Sequence, residues 1–244
     1  MDASDYADLT GRVIVVTGGG RGLGAEICHL LSRDGAHLVV VDINEEAARD
    51  VADDIVLAGG KALPVVADVG SEQAVAAMLD QAAQHFGRLD GIVNNAGVDV
   101  TVGIDEMSVA DWQRIIATNL TGPFLLAKLG LAYLAPGGHI VNIASTAGRR
   151  AWPNASAYHA SKWGLIGLNQ ALHAELRSVG IKVSAVIAGG MRTPFLLDRF
   201  PDIDTGLLQD PHNVARAIRF VLTQPPQTVI PEIMVLPMTE TSWP

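Results

Sequence analysis

The chain has a single cysteine among 244 residues, Cys28, so it has no intrachain disulfide. It does not begin with the charged segment and apolar run of a secretory leader, and with the lone cysteine this sets the expectation of a cytoplasmic protein. Basic residues are in deficit: 17 Lys and Arg against 26 Asp and Glu give a formal net charge of −9, which opposes binding to nucleic acid. No stretch approaches the ~18 uninterrupted apolar residues of a membrane span, so no membrane partner is expected. His85, His139 and His173 stand at no ligand spacing with a cysteine or an acidic cluster, so no metal is expected. There is no tandem repeat, and no Ser/Gly/Pro linker interrupts the first 190 residues. One domain over 1–244 is the reading.

What is present is an apolar chain, 49% hydrophobic and 18% charged, rich enough to fill a core. Short β-branched runs alternate with longer helical patterns, the signature of a parallel sheet wound with crossover helices, hence an α/β fold. Strands are expected at 13–17, 37–42, 62–67, 91–94, 139–144, 182–187 and 228–235, and helices at 22–34, 45–57, 72–86, 109–134, 156–178 and 211–223. The strands have few internal charges, as strands covered on both faces do. Residues 189–210 form the one long irregular stretch, a candidate lid over a substrate.

The first strand runs into Thr17-Gly18-Gly19-Gly20-Arg21-Gly22-Leu23-Gly24. Glycines there let the backbone approach a pyrophosphate, and the following helix offers free N–H groups and a partial positive charge to it. Asp42 ends the second strand, eighteen residues past Gly24, where a carboxylate can accept hydrogen bonds from an adenosine ribose. The same carboxylate repels a 2′-phosphate, which favours NAD over NADP. Arg21 argues the other way, since a guanidinium in the turn could grip that phosphate, and Asp42 is given the greater weight.

Tyr158 and Lys162 are four residues apart in an expected helix, so a phenol and an ammonium share one face, and Ser145 precedes the tyrosine by thirteen residues. A neighbouring cation favours phenolate and makes a tyrosine a usable acid or base. A carbonyl that receives hydride needs a proton donor and an anion stabiliser at the same oxygen, roles that suit Tyr158 and Ser145.

Thr17-Gly18-x-x-x-Gly22-x-Gly24, Asp68-Val69, Asn94-Asn95-Ala96-Gly97, Asn119, Ser145 and Tyr158-x-x-x-Lys162 occur in this order along the whole chain. In these motifs the chain resembles the short-chain dehydrogenase/reductase family, in its small single-domain branch. The resemblance implies a doubly wound Rossmann-type sheet of seven strands in the order 3-2-1-4-5-6-7, with helices on both faces. It implies a cofactor site of Thr17, Gly18, Gly20, Arg21, Gly22, Leu23, Gly24, Asp42, Ile43, Asp68, Val69, Asn95, Ala96, Gly97, Tyr158, Lys162, Gly189, Met191 and Thr193. Asp68 and Val69 would flank the adenine, and Asn95, Ala96 and Gly97 would form the floor under the riboses. Tyr158 would be the general acid in ketone reduction and the general base in alcohol oxidation. Lys162 would lower its pKa and hold the nicotinamide ribose, Ser145 would bind the substrate oxygen, and Asn119 would hold a water linking Lys162 to solvent. Dimers or tetramers are also implied, through the helices of Asn119 and Tyr158, with Ala160, Gly164 and Gly167 as small residues that permit close packing.

The family's Pro-Gly after the sixth strand is Ala188-Gly189 here, followed by Met191 and Thr193, which leaves the nicotinamide seat less constrained. The tail Pro231-Glu232-Ile233-Met234-Val235-Leu236-Pro237 also departs from the family ending and is expected on the sheet edge or a neighbouring subunit. Phe195, Leu196, Leu197 and Phe200 are expected to form an apolar lid, with Trp152 lining the same pocket. Substrate contacts are thus assigned to Ser145, Tyr158, Trp152, Phe195 and Leu196. His159 is expected at the surface or an interface, and Arg149 with Arg150 as a solvated or intersubunit pair, the alternative being a grip on a substrate carboxylate. The leading function is NAD(H)-dependent interconversion of a secondary alcohol and its ketone. The alternatives are an NADPH-dependent ketoreductase of lipid or polyketide type and a non-catalytic cofactor sensor.

Overall fold

The computed structural model describes residues 8–239, so the expected domain of 1–244 extends at both ends beyond the described residues. Seven parallel strands form one sheet in the order β3-β2-β1-β4-β5-β6-β7. In chain order they are β1 Val13–Thr17, β2 His37–Asp42, β3 Lys61–Val66, β4 Leu89–Asn94, β5 Leu134–Ser145, β6 Lys182–Ala188 and β7 Glu232–Val235. Their crossovers are α1 Gly22–Arg33, α2 Glu45–Leu57, α3 Glu72–Phe86, α4 Val109–Ile116, α5 Gly122–Gly130 and α6 Ser156–Leu176. The short α7 Pro194–Leu197 and then α8 Pro211–Leu222 follow β6.

Side chains alternate along each strand, and here both faces are buried. Ile14 and Val16 of β1 and Leu38 and Val40 of β2 join a core with α1, α2 and α8, while Val13, Val15, Val39 and Val41 join a second core with α3 and α5. Two apolar faces explain the near-continuous hydrophobic runs of the sequence. Pro64 lacks a donor and is tolerated because β3 is an edge strand.

Three differences from the expected boundaries exceed two residues. The single helix expected at 109–134 is α4, a π-helical turn over Ala117–Thr121, and α5. Pro123 has no N–H to give the carbonyl four residues before it, that of Asn119, so the regular ladder is interrupted there. The fifth strand begins at Leu134, five residues before the expected start at 139, pairing with Leu89 through a register shift that absorbs Pro136, Gly137 and Gly138. The seventh begins at Glu232 rather than at 228, after Pro231. The tail packs where one alternative placed it, as an edge strand on β6. Among the described residues no helix is long and apolar enough to cross a membrane.

β1, β4, β5 and β6 end together at Thr17, Asn94, Ser145 and Ala188. Crossovers from β1 and β4 leave in opposite directions along the sheet, which opens a crevice at their carboxyl ends.

Candidate functional site

That crevice is a cleft of about 620 Å³, lined from Gly18 and Asp42 at one end to Trp152, Tyr158 and residues of the 189–210 stretch at the other. The glycine turn is locked to the end of β4. Asn95 donates its side-chain amide to the carbonyls of Thr17 (2.9 Å) and Gly18 (3.1 Å), while the Thr17 hydroxyl accepts from the backbone amides of Asn95 and Ala96, both at 3.1 Å. A Cβ at Gly24 would lie 1.9 Å from the Gly18 carbonyl oxygen, so only glycine allows the turn to close on α1. Arg21, the N-cap residue of α1, supplies no side-chain cap, and Gly22 and Leu23 line the cleft where first-turn N–H groups lack helical partners.

Asp42 closes the turn from the β2 side. Its Oδ2 accepts from Gly20 N and its Oδ1 from Asn44 N, both at 3.0 Å, and a Cβ on Gly20 would meet Ala47 Cβ at 2.7 Å. Each carboxylate oxygen keeps further acceptor capacity, and Asp42 lines the cleft together with Ile43, Asp68 and Val69. Arg21 extends outward, its side chain 67% exposed, with Asp198 at 3.4 Å.

At the other end Ser145 terminates β5 and Tyr158 and Lys162 project from the first turns of α6. The half-buried Tyr158 phenol lies beside the Ser145 hydroxyl, which accepts from Ala147 N at 3.1 Å. Burial pushes the phenol up to about 12, an effect the Ser145 hydroxyl opposes; the charge of Asp99 raises it further and that of Arg199 lowers it. Lys162 donates to the Ile143 carbonyl at 2.8 Å and lies 5.6 Å from the centroid of the Tyr158 ring. Its burial brings the ammonium down to about 8, with Asp99 opposing. The helix spacing thus places phenol and ammonium side by side as expected, with the ammonium held by β5 backbone.

Asn119 sits on the π-helical turn, buried. Its amide donates to Val98 O (2.8 Å) and Ser161 Oγ (3.1 Å), and its oxygen accepts from Val98 N (2.8 Å), which binds the floor loop to α6. Gly97 lies between it and Lys162. One lone pair of the Asn119 oxygen remains for a further donor.

Ala188, where the family has proline, continues β6 by one rung between Ser145 and Val235. Gly189, Met191 and Thr193 follow along the cleft, and Thr193 is buried within reach of the glycine turn, 3.4 Å from a Cβ built on Gly22. Phe195, Leu196, Phe200 and Trp152 line the cleft as expected, and Phe195 tilts against the Tyr158 ring with centroids 5.9 Å apart. Leu197 is not among the lining residues.

His159 corrects the expectation of a surface or interface position. It is 8% exposed; its Nδ1 bonds the Ala147 carbonyl at 2.8 Å and its Nε2 accepts from Trp152 N at 3.1 Å. A helical residue one past Tyr158 points away from the phenol, and that direction is occupied by the loop after β5 rather than by solvent. Arg149 pairs within the chain with Glu232 of β7. Gly164 is close-packed against Leu120 of its own chain, since a Cβ there would meet Leu120 Cδ2 at 2.8 Å.

Asp99 and Arg199 were not singled out from the sequence. The Arg199 guanidinium bonds Asp99 Oδ2 across the cleft and stacks on Phe195, 4.2 Å from the ring centroid. The one available signal was a lone carboxylate between Val98 and Val100, directly after the Asn-Ala-Gly floor.

The site can hold a dinucleotide along the turn and α1, and can present an acid and a hydroxyl at its far end. The model of the short chain dehydrogenase family matches residues 12–204. The 3beta-hydroxysteroid dehydrogenase 1 of Eggerthella lenta is 36% identical over 226 residues, 87% of each chain. The cis-4-hydroxycyclohexanecarboxylate dehydrogenase of Sinomonas cyclohexanicum is 37% identical over 236 residues, 92% of this chain and 94% of that one. Among solved structures, a metagenomic short-chain oxidoreductase in complex with NADP superposes with a TM-score of 0.82 at 36% identity, covering 95% of this chain and 99% of that chain. A short-chain type dehydrogenase/reductase from Mycobacterium marinum does so with 0.88 at 29%, covering 98% and 99%. With fold, cleft and these likenesses in agreement, the chain belongs to the short-chain dehydrogenase/reductase family and is an NAD(P)-dependent oxidoreductase acting on a small molecule.

Proposed function

We propose that the protein interconverts a secondary ring alcohol and its ketone with NAD(H), Tyr158 serving as general acid in reduction and general base in oxidation. The observation that carries this reading is the placement of Tyr158 and Ser145 together on the cleft wall, with Lys162 one turn further along α6. The nicotinamide, when bound, supplies or accepts the hydride. Tyr158 then gives its proton to the substrate oxygen, and Ser145 stabilises the negative charge growing there. Lys162 carries the cation beside the phenol and the nicotinamide ribose, and the remaining lone pair of Asn119 receives the water that connects Lys162 to solvent. Phe195, Leu196 and Trp152 enclose the substrate ring.

NAD is the favoured cofactor because Asp42 stands where a 2′-phosphate would bring a second negative charge. The named activities of relatives also favour ring alcohols: a 3beta-hydroxysteroid dehydrogenase, a cis-4-hydroxycyclohexanecarboxylate dehydrogenase and a 2,5-dichloro-2,5-cyclohexadiene-1,4-diol dehydrogenase from Sphingobium indicum. A second reading, an NADPH-dependent ketoreductase, rests on exposed Arg21 and on the NADP in a similar structure. Self-association through α4, α5 and α6 is supported by the exposed Trp112, Phe124 and Trp163 on those helices. Initial rates for a panel of cyclic alcohols and ketones with both cofactors test the assignment. NAD-dependent oxidation of ring alcohols is expected; rates only with NADPH would favour the second reading, and no turnover with either would refute both.

A further inference from the structure

The described residues lining the substrate half of the cleft include one charged pair, Asp99 and Arg199. Asp99 belongs to the floor loop after β4, and Arg199 follows α7 on the opposite wall. The Asp99 carboxylate is 6% exposed. Its Oδ2 accepts from Arg199 and, at 3.4 Å, from the Thr101 hydroxyl, while its Oδ1 is buried with no hydrogen-bond partner. Arg199 is engaged elsewhere too: Nε donates to the Phe195 carbonyl at 2.8 Å and the guanidinium lies over Phe195 and Phe200.

A buried carboxylate oxygen without a donor is costly, and native structures rarely keep one without a use. Val98, Phe195, Leu196, Phe200 and Ile203, which line the same cleft, carry no side-chain donor, and the Thr101 hydroxyl is spent on Oδ2. Asp99 lines the same cleft as Ser145 and Tyr158, and its charge raises the pKa of both the Tyr158 phenol and the Lys162 ammonium.

We infer that Asp99 Oδ1 accepts a hydrogen bond from a second hydroxyl of the substrate, which makes the substrate class an uncharged cyclic diol or hydroxyketone. This rests on the reading of the cleft as a ring-alcohol site. A substrate carboxylate would face Asp99, whose charge already balances that of Arg199. A neutral hydroxyl on an apolar ring supplies one donor and otherwise matches the hydrocarbon and aromatic walls.

The experiment compares kcat/KM of the protein with NAD for cyclohexanol, the 1,2-, 1,3- and 1,4-cyclohexanediols, their mono-methyl ethers, and 4-hydroxycyclohexanecarboxylate. At least one diol is expected to exceed both cyclohexanol and its own methyl ether by about tenfold or more, since a site built around a hydroxyl rejects the analogue that lacks it. In the double variant Asp99→Leu with Arg199→Met, which removes the pair without leaving either charge alone, the ratio of diol to cyclohexanol should fall to within about twofold of unity. Ratios taken within one preparation are independent of how much of it is folded, and the wild-type ether comparison needs no variant. Equal use of diol, ether and cyclohexanol, a diol preference that survives in the double variant, or preference for the carboxylate would each overturn the inference and leave the ring-alcohol reading standing. Oxidation of none of these compounds would overturn both.

Discussion

The Lys162 ammonium donates to the carbonyl of Ile143 at 2.8 Å while lying 5.6 Å from the centroid of the Tyr158 ring, so the cation is tied to the strand that ends in Ser145. Helix α6 and strand β5 are thereby pinned together where phenol and hydroxyl meet. The phenol itself, through burial, remains protonated near neutrality, as the acid role in ketone reduction requires.

Replacing Tyr158 by Phe removes the proton donor and little else, because the ring still packs against Phe195. Turnover should drop by about 10²- to 10⁴-fold. Titration of NADH by fluorescence should give an affinity within a few-fold of wild type. Unchanged turnover would refute the role assigned to Tyr158.

Lys162 should cost stability in the cofactor-free protein. Its folded pKa, about 8, lies below the ordinary 10.5, so between these values the unfolded chain binds more protons and wild-type stability rises with pH. Lys162→Met should therefore be more stable at pH 7, by about 3 kcal/mol at most, and inactive. Urea unfolding of both proteins at pH 7, 8, 9 and 10 checks the sign: the variant's advantage should shrink steadily above pH 8.

Asp42→Ala should raise kcat/KM with NADPH by about tenfold or more by removing like-charge repulsion. Efficiency with NADH should fall, since the carboxylate also holds the amides of Gly20 and Asn44. Initial rates with each cofactor measure both effects, and an unaltered NADPH rate would count against a discriminating role.

His159 joins the loop after Ser145 to the loop of Trp152 by one donated and one accepted bond. His159→Phe keeps a ring beside Trp152 and loses both bonds, whose combined worth is about 1–3 kcal/mol. KM for the alcohol should rise several-fold with NADH affinity within about twofold of wild type. His159→Gln, which retains a donor and an acceptor, should restore most of the loss. Steady-state kinetics with binding titrations separate the two; an equal loss of cofactor affinity would show that the bonds support the fold alone.

Local chemistry made much of the molecule readable in the linear chain. Apolar β-branched runs announced buried strands, the glycines of 18–24 announced a close backbone approach that a Cβ at Gly24 would block, and four-residue spacing put Tyr158 and Lys162 on one helical face. These features depend on neighbours within a few residues, so the order of amino acids determines them. The break in the expected helix over 109–134 was half visible, since Pro123 was known but the π-helical turn that seats Asn119 depends on how the chain packs around it.

What only the tertiary structure decided concerns partners distant in sequence. Asp99 and Arg199 are 100 residues apart and become a pair because β4 and the segment after α7 face each other across the cleft. His159 is buried rather than exposed because the loop after β5 folds over the side of α6 that the catalytic pair leaves free. Helical periodicity gives the direction in which a side chain leaves its axis, but what stands in that direction is set by the packing of other elements. The sequence alone therefore determined the fold class, the cofactor end and the Tyr–Lys pair, while the polar contacts that shape the substrate end were decided by the folded chain.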